Sequence, residues 1–182
     1  PYIENSKTTA QIIRKNEDWI ISKSGVKVRR ISKIDVDKMG AIAAEKALDG
    51  NGAPDLIINA SGVPKQTIPD TSVFFQKELG LKSIPCFSIH GTCLSFLIAL
   101  NNARSLINTN VYERILIISS DRGSLGRNPK EPESAALLGD AAAAILVEKE
   151  KSDSNNFHYW KMNTWSNDCL LYTSDAADEL RS

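Results

Sequence analysis

Two short, uninterrupted apolar runs constrain this chain more than any other feature: Asp55-Leu-Ile-Ile-Asn-Ala60 and Arg114-Ile-Leu-Ile-Ile-Ser119. Strands of this composition are buried on both faces, and a chain covers both faces by alternating strands with helices. The intervening segments supply those helices. From Asp35, the residues Val36, Met39, Ala43 and Ala47 recur at a helical period until Asp49-Gly50-Asn51-Gly52 breaks it, predicting a helix of about four turns. A shorter helix opens at Asn16, a capping residue followed by Glu17 and Asp18 in the first turn, and stops at Ser24-Gly25. Thr71 to Leu79 reads as a third, between Asp70 and Gly80. Pro85 to Ile89, Ala141 to Val147 and Phe157 to Thr164 have strand character, and Asp121 to Pro132 is irregular. The expected fold is α/β, with a mainly parallel mixed sheet covered on both sides.

Cys93 to Asn108 predicts the helix that matters most. Leu94 and Phe96 to Leu100 leave almost no polar face in its first two turns, so it is expected to be buried on all sides, with its polar end at Asn101, Asn102 and Arg104. Immediately before it stands a strand and a tight turn: Pro85-Cys-Phe-Ser-Ile-His-Gly-Thr-Cys93. Free N–H groups and the positive end of the helix dipole stabilise a thiolate at such a place, which makes Cys93 a candidate nucleophile. The competing reading is an inert buried thiol, since free cysteine is commonly part of a core.

Bulk properties narrow the partners. With 182 residues and 42% hydrophobic content the chain can bury a core, and 22 basic against 22 acidic side chains leave no net charge to attract nucleic acid or a membrane. Leu94 to Leu100 falls short of a membrane span, and the N-terminus lacks a basic region followed by an apolar one, so a cytoplasmic location is the default. Cys86, Cys93 and Cys169 have no metal-ligand spacing and are expected to be reduced thiols.

Beginning at Pro1 without a methionine, the chain reads as a fragment. Its last part, Cys169-Leu-Leu-Tyr-Thr-Ser-Asp-Ala-Ala-Asp-Glu179, resembles an in-frame translation of the transposon-end adapter of shotgun sequencing libraries. Residues 1–168 are therefore expected to be native and 169–182 adapter-derived; the alternative is a natural polar tail.

From about Asn16 to Val147 the segments resemble, in order, the N-terminal half of ketoacyl-acyl-carrier-protein synthase III. The resemblance rests on Asn16 to Ile31, Asp55 to Ala60, Ile68-Pro-Asp-Thr71, the cysteine segment, Arg114 to Asp121 and Leu138-Gly-Asp-Ala-Ala-Ala-Ala144. It implies a thiolase-like layered fold of two similar halves, of which this chain supplies the first, and a full-length homodimer. Cys93 takes the place of the acylated cysteine, while the His and Asn that support decarboxylation of a malonyl thioester belong to the second half, so the chain alone is expected to be inactive. His90 reads as a pocket-wall or turn residue, His158 as a solvent-facing strand residue and Cys86 as core.

Trp19 matches the tryptophan that stacks on coenzyme A, or else staples its helix by packing. Lys23 and Pro132 stand where members of the family have nucleotide-contacting arginines. A lysine or proline cannot reproduce the arginine fork, which favours an acyl-carrier-protein donor over acyl-CoA. Lys23, Lys27, Arg29, Arg30 and Lys33 form a basic cluster suited to an acidic carrier protein or a phosphopantetheine phosphate, or are a solvated charged segment. Ile68, Thr71 and Leu94 are candidates for lining the acyl pocket. No cofactor is implied beyond the acyl-CoA or acyl-carrier-protein substrates. Alternatives are a head-to-head condensing enzyme, a non-decarboxylating acyltransferase, and a catalytically silent partner subunit, against which the retained cysteine speaks.

Overall fold

Strands and helices alternate as the apolar runs predict in the computed structural model, which describes residues 1–149 and 159–166. Residues 1–149 lie in one compact unit and 159–166 in a second. The first comprises β1 (Tyr2–Asn5), α1 (Ser6–Ile13), α2 (Glu17–Ser24), β2 (Val28–Ile31), α3 (Val36–Leu48), β3 (Leu56–Asn59), α4 (Thr71–Glu78), β4 (Cys86–Ser88), α5 (Ser95–Asn108), β5 (Arg114–Arg122), α6 (Pro132–Ala135) and β6 (Asp140–Glu148). Single 3₁₀ turns, Thr92–Leu94 and Gly123–Gly126, precede α5 and follow β5.

The main sheet has the order β4-β3-β5-β6; β3 runs parallel to β4 and β5, and β6 is antiparallel to β5. Alternation along each strand sorts the core into two layers. Leu56, Ile58, Ile115 and Ile117 face Ala99, Ala103 and Ile107 of α5, whereas Ile57, Leu116 and Ile118 pack with Ala44 of α3 and Phe75 of α4. The thiolase-like α/β reading, with a mixed and mostly parallel sheet, is what the structure shows.

Local chemistry sets the helix ends. The Asn16 side chain accepts a hydrogen bond from the Trp19 N–H at 2.6 Å, and the Asp70 carboxylate accepts one from the Ser72 N–H at 2.9 Å. Gly25 closes α2 at φ 69°, a conformation that costs glycine little.

Two expectations need correction. α5 buries one face rather than its whole circumference: Ser95, Ala99, Ala103 and Ile107, spaced four apart, lie on the sheet, while Leu94 and Leu97 are 46% and 47% exposed. Small residues on the inner face bring the helix close to the strands, and nothing among the described residues covers the outer apolar face. Residues 159–164 form no strand, because a strand needs a sheet edge to pair with and no described strand pairs with them. His158, Cys169 and the segment 169–182 lie outside the described residues.

Several carboxyls are held below the ordinary carboxylate range. Hydrogen bonding to Arg127 does this for Glu4, and hydrogen bonding to Lys65 does it for Asp35. At Asp70, burial pushes upward, but the hydroxyls of Ser72 and Ser88 outweigh it. A depressed folded-state pKa adds stability that is complete above the unfolded value and is lost as pH falls through the folded value. Thermal melts are therefore expected to be flat from pH 7 to about 5 and to drop by roughly 5 °C or more on acidification below about pH 4. A melting temperature unchanged at pH 3 would contradict these pairings.

Candidate active site

The parallel strands β4 and β3 end side by side at Ser88 and Asn59, level with Ile118 of β5, which runs on to Arg122. In open α/β sheets reactive groups collect beyond such carboxyl ends. There the chain leaves β4 and turns through Gly91 and Thr92 to Cys93, which is exposed.

The turn is tight and braced. A Cβ at Gly91 would lie 2.5 Å from Ile98 Cδ1, so a larger residue there would have to push that methyl aside where the strand exit passes α5. Thr92 holds φ at 49°, a left-handed conformation that costs a β-branched residue about 1–3 kcal/mol. The fully buried Ser95 offsets this: its Oγ accepts from the Gly91 N–H at 3.0 Å and donates to the Thr92 carbonyl at 2.7 Å. The Leu94 N–H donates to the Gly91 carbonyl at 3.0 Å. α5 begins without a side-chain cap, and the Ser95 N–H donates to the Thr92 carbonyl.

A chain of side-chain hydrogen bonds crosses the same sheet end. Ser88 Oγ donates to Asp70 Oδ1 at 2.9 Å, and Asn59 Nδ2 donates to Ser88 Oγ at 2.8 Å. Asn59 Oδ1 accepts from Ser61 Oγ at 2.6 Å, and Ser61 Oγ accepts from the Ser120 N–H at 3.0 Å. The loop after β3 is tied down further by Asp121, whose carboxylate accepts from the N–H groups of Gly62 and Val63 at 3.0 and 2.8 Å. Asp140 gathers the Ser32 N–H at 2.7 Å and the Ser124 N–H and hydroxyl, each at 2.9 Å. Sequence reading missed this network, although Asp140 follows Gly139 within one of the segments that carry the resemblance.

The predicted binding residues occupy different environments. Lys23 and Arg30 are exposed, as are Lys27 and Lys33. Arg29 is a correction: it is 4% exposed, and its Nη1 donates to Thr9 Oγ1 at 2.8 Å, because β2 points alternate residues inward and Arg29 shares the inner side with Ile31. Trp19 is half-buried against Ala10, Ile13, Ile20, Ala135 and Ala136, with Lys15 Nζ 5.2 Å from its ring centre. Ile68 is 82% exposed on the loop before α4, and Leu94 adjoins Cys93. Thr71 is buried, and its Oγ1 accepts from the Lys65 N–H at 2.9 Å, so its hydroxyl serves the loop instead of an open pocket. Cys86 is half-buried in β4, and His90 is exposed.

Residues 87–165, which include this turn and Cys93, match the family model described as 3-oxoacyl-[acyl-carrier-protein] synthase III. The chain is 31% identical over 150 residues to beta-ketoacyl-[acyl-carrier-protein] synthase III of Clostridium acetobutylicum, covering 80% of this chain and 46% of that protein. A synthase III of Vibrio vulnificus is 31% identical over 151 residues, covering 80% and 48%. Among solved structures, 3-oxoacyl-[acyl-carrier-protein] synthase III from Aquifex aeolicus superposes with a TM-score of 0.78 at 28% identity, over 82% of this chain and 50% of that one. The chain thus spans about half the length of the relatives it matches. With the braced turn and Cys93 inside the matched segment and a TM-score of 0.78 over 82% of the chain, the chain belongs to the 3-oxoacyl-[acyl-carrier-protein] synthase III family and has its thiolase-like fold.

Proposed function

We propose that this chain carries the acyl-accepting part of a condensing enzyme of fatty-acid or related biosynthesis. The Cys93 sulfur attacks the carbonyl of an acyl thioester, the donor thiol leaves with the proton, and the acyl group remains on the cysteine. Loss of carbon dioxide from malonyl-acyl-carrier protein then generates the carbanion that takes the acyl group and releases the Cys93 thiolate. The observation that carries this reading is the exposed Cys93 on a strained, serine-braced turn at the carboxyl end of β4, beside an uncapped helix start. A buried, inert cysteine would need none of these features. The test is mass spectrometry after incubation of the protein carrying this segment with an acyl thioester: an adduct is expected at Cys93, and an adduct elsewhere or none overturns the assignment.

The donor we favour is a carrier protein, since Lys23, Lys27, Arg30 and Lys33 are exposed within one stretch of sequence. Arg30→Glu is expected to lower the rate of loading from an acyl-carrier protein about three- to tenfold at low salt, an effect that shrinks at high salt, with little change for a small thioester donor. Equal losses with both donors would mean that the stretch is only solvated surface.

A further inference from the structure

β3 carries the apolar residues Leu56, Ile57 and Ile58 and then Asn59, which is 3% exposed. A buried parallel strand ordinarily stays apolar, because an amide taken out of water costs free energy unless it is hydrogen-bonded, and a hydrocarbon of the same shape fills the place as well. A polar residue that breaks this pattern marks a position that serves something besides the core.

The bonds of Asn59 show what it serves. The Ser61 N–H, which can only donate, lies 3.1 Å from Asn59 Oδ1, and the Ser61 hydroxyl donates to the same oxygen at 2.6 Å. This fixes which way the amide faces, so Nδ2 donates to Ser88 Oγ at 2.8 Å. Ser88 gives its one hydroxyl hydrogen to Asp70 Oδ1 at 2.9 Å, which leaves its lone pairs for Asn59. One residue further along, the Ile89 N–H donates to the Asn59 carbonyl at 2.8 Å. Asn59 thus clasps the last residue of β4 and the residue after it, with side chain and backbone together. On the other side, buried Ser61 is tied to β5 through the Ser120 N–H at 3.0 Å, and the Ser120 hydroxyl donates to the Val36 carbonyl at 2.7 Å. The clasp is therefore anchored at α4 through Asp70 and at α3 through Val36.

The clasped residues lead straight to Cys93. Ser95 holds Gly91 and Thr92 from the helix side, and Asn59 holds Ser88 and Ile89 from the strand side. We infer that Asn59 is a positioning residue for Cys93, acting through Ser88 to set where β4 releases the chain and so where the sulfur stands for its attack. The inference rests on the proposed acylation of Cys93. Attack geometry is demanding, since a displacement of about 1 Å can cost on the order of a hundredfold in rate. A residue that only filled the core would change stability without changing that rate.

Asn59→Leu removes the amide at nearly constant size. In the protein carrying this segment, the maximal rate of acyl loading at Cys93 is expected to fall about ten- to a hundredfold, with KM for the donor within about twofold of the wild type. Iodoacetamide should still alkylate Cys93 at the wild-type rate, since a small reagent needs no alignment with a bound donor. Ser88→Ala should reproduce the fall in loading, and Ser88→Thr, which keeps the hydroxyl, should restore it. Because both changes break one contact, Asn59→Leu combined with Ser88→Ala should load no more slowly than the slower single variant. Should Asn59→Leu fail to fold, the two Ser88 variants decide. Unchanged loading in Asn59→Leu or in Ser88→Ala overturns the inference, and so do losses that multiply in the double variant. Alkylation slowed as much as loading also overturns it, because the thiol's reactivity rather than its placement would have changed. A wild-type protein that takes up no acyl group overturns the proposed function itself, and the inference with it.

Discussion

Replacing Cys93 by serine, in the protein that carries this segment, is expected to abolish the acyl adduct and to lower condensation by about a thousandfold or more, the scale on which loss of an activated nucleophile acts. The reason is chemical, since the two side chains differ little in size. Sulfur is the more intrinsically nucleophilic atom, whereas a serine hydroxyl needs a general base to attack. No hydrogen bond from a neighbouring side chain to Cys93 occurs among the described residues, and the side-chain bonds of the turn are those of Thr92 and Ser95. The variant should melt as the wild type does, because the cysteine is exposed and contributes little packing. A persistent adduct in Cys93→Ser would remove this residue from the reaction and leave the braced turn without a chemical purpose.

How far the sequence was legible depended on whether apolar residues pointed inward. β3 and β5 could be read from their apolar runs because both of their faces are buried, α3 from the helical period of its apolar residues, and α2 and α4 from caps that the structure keeps, Asn16 and Asp70. The hairpin of β1 and β2 could not. Its inward residues include Glu4 and Arg29, while Ile3 and Val28 face outward at 66% and 50% exposure, so a hydrophobicity pattern gives the opposite of the truth there. Inversion of that kind marks a place where buried charge is satisfied by partners distant in sequence, Arg127 in this case, which no local reading can supply. The same limit applies to Arg29, which looks like one more base in a surface cluster until the pleat of β2 turns it inward. α1 did leave a trace: Asn5 caps it, its Oδ1 accepting from the Thr8 N–H at 2.8 Å.

At the site, the sequence disclosed the strand–turn–helix order around Cys93 but not the turn itself. The helix is read as starting at Cys93; in the structure a 3₁₀ turn covers Thr92–Leu94 and α5 starts at Ser95, whose hydroxyl ties the turn to its backbone at Gly91 and Thr92. The network from Asp70 through Ser88, Asn59 and Ser61 to Ser120 escaped notice for another reason: its members come from four separate segments and are neighbours only once β4, β3 and β5 lie side by side.

The largest effect on stability is expected where α3 and α4 meet the sheet. Phe75 is fully buried among Ala44, Ile57, Leu116 and Ile118, and Phe75→Ala should cost about 3–5 kcal/mol, a third or more of what a marginally stable domain possesses. Gly40 makes the test sharper. A Cβ there would stand 2.3 Å from Phe75 Cε1 and 2.8 Å from Cδ1, so the ring occupies the space that a side chain on α3 would need. In an ordinary helix interior, glycine to alanine gains about 0.5–1 kcal/mol. Here Gly40→Ala should instead lose about 1–3 kcal/mol, since a packed core accommodates an added methyl only by displacing its neighbours. Removing the ring removes the conflict: in the Phe75→Ala background, Gly40→Ala is expected to turn stabilising by about 0.5–1 kcal/mol as helix propensity and partial filling of the cavity act together. Urea unfolding of the two single variants and the double variant, read as midpoints at unchanged slope, measures this reversal of sign. If Gly40→Ala is neutral or stabilising with Phe75 present, the two helices do not meet the sheet at the closeness described, and the layer that backs β3 and β5 beneath the cysteine's strand would have to be rearranged.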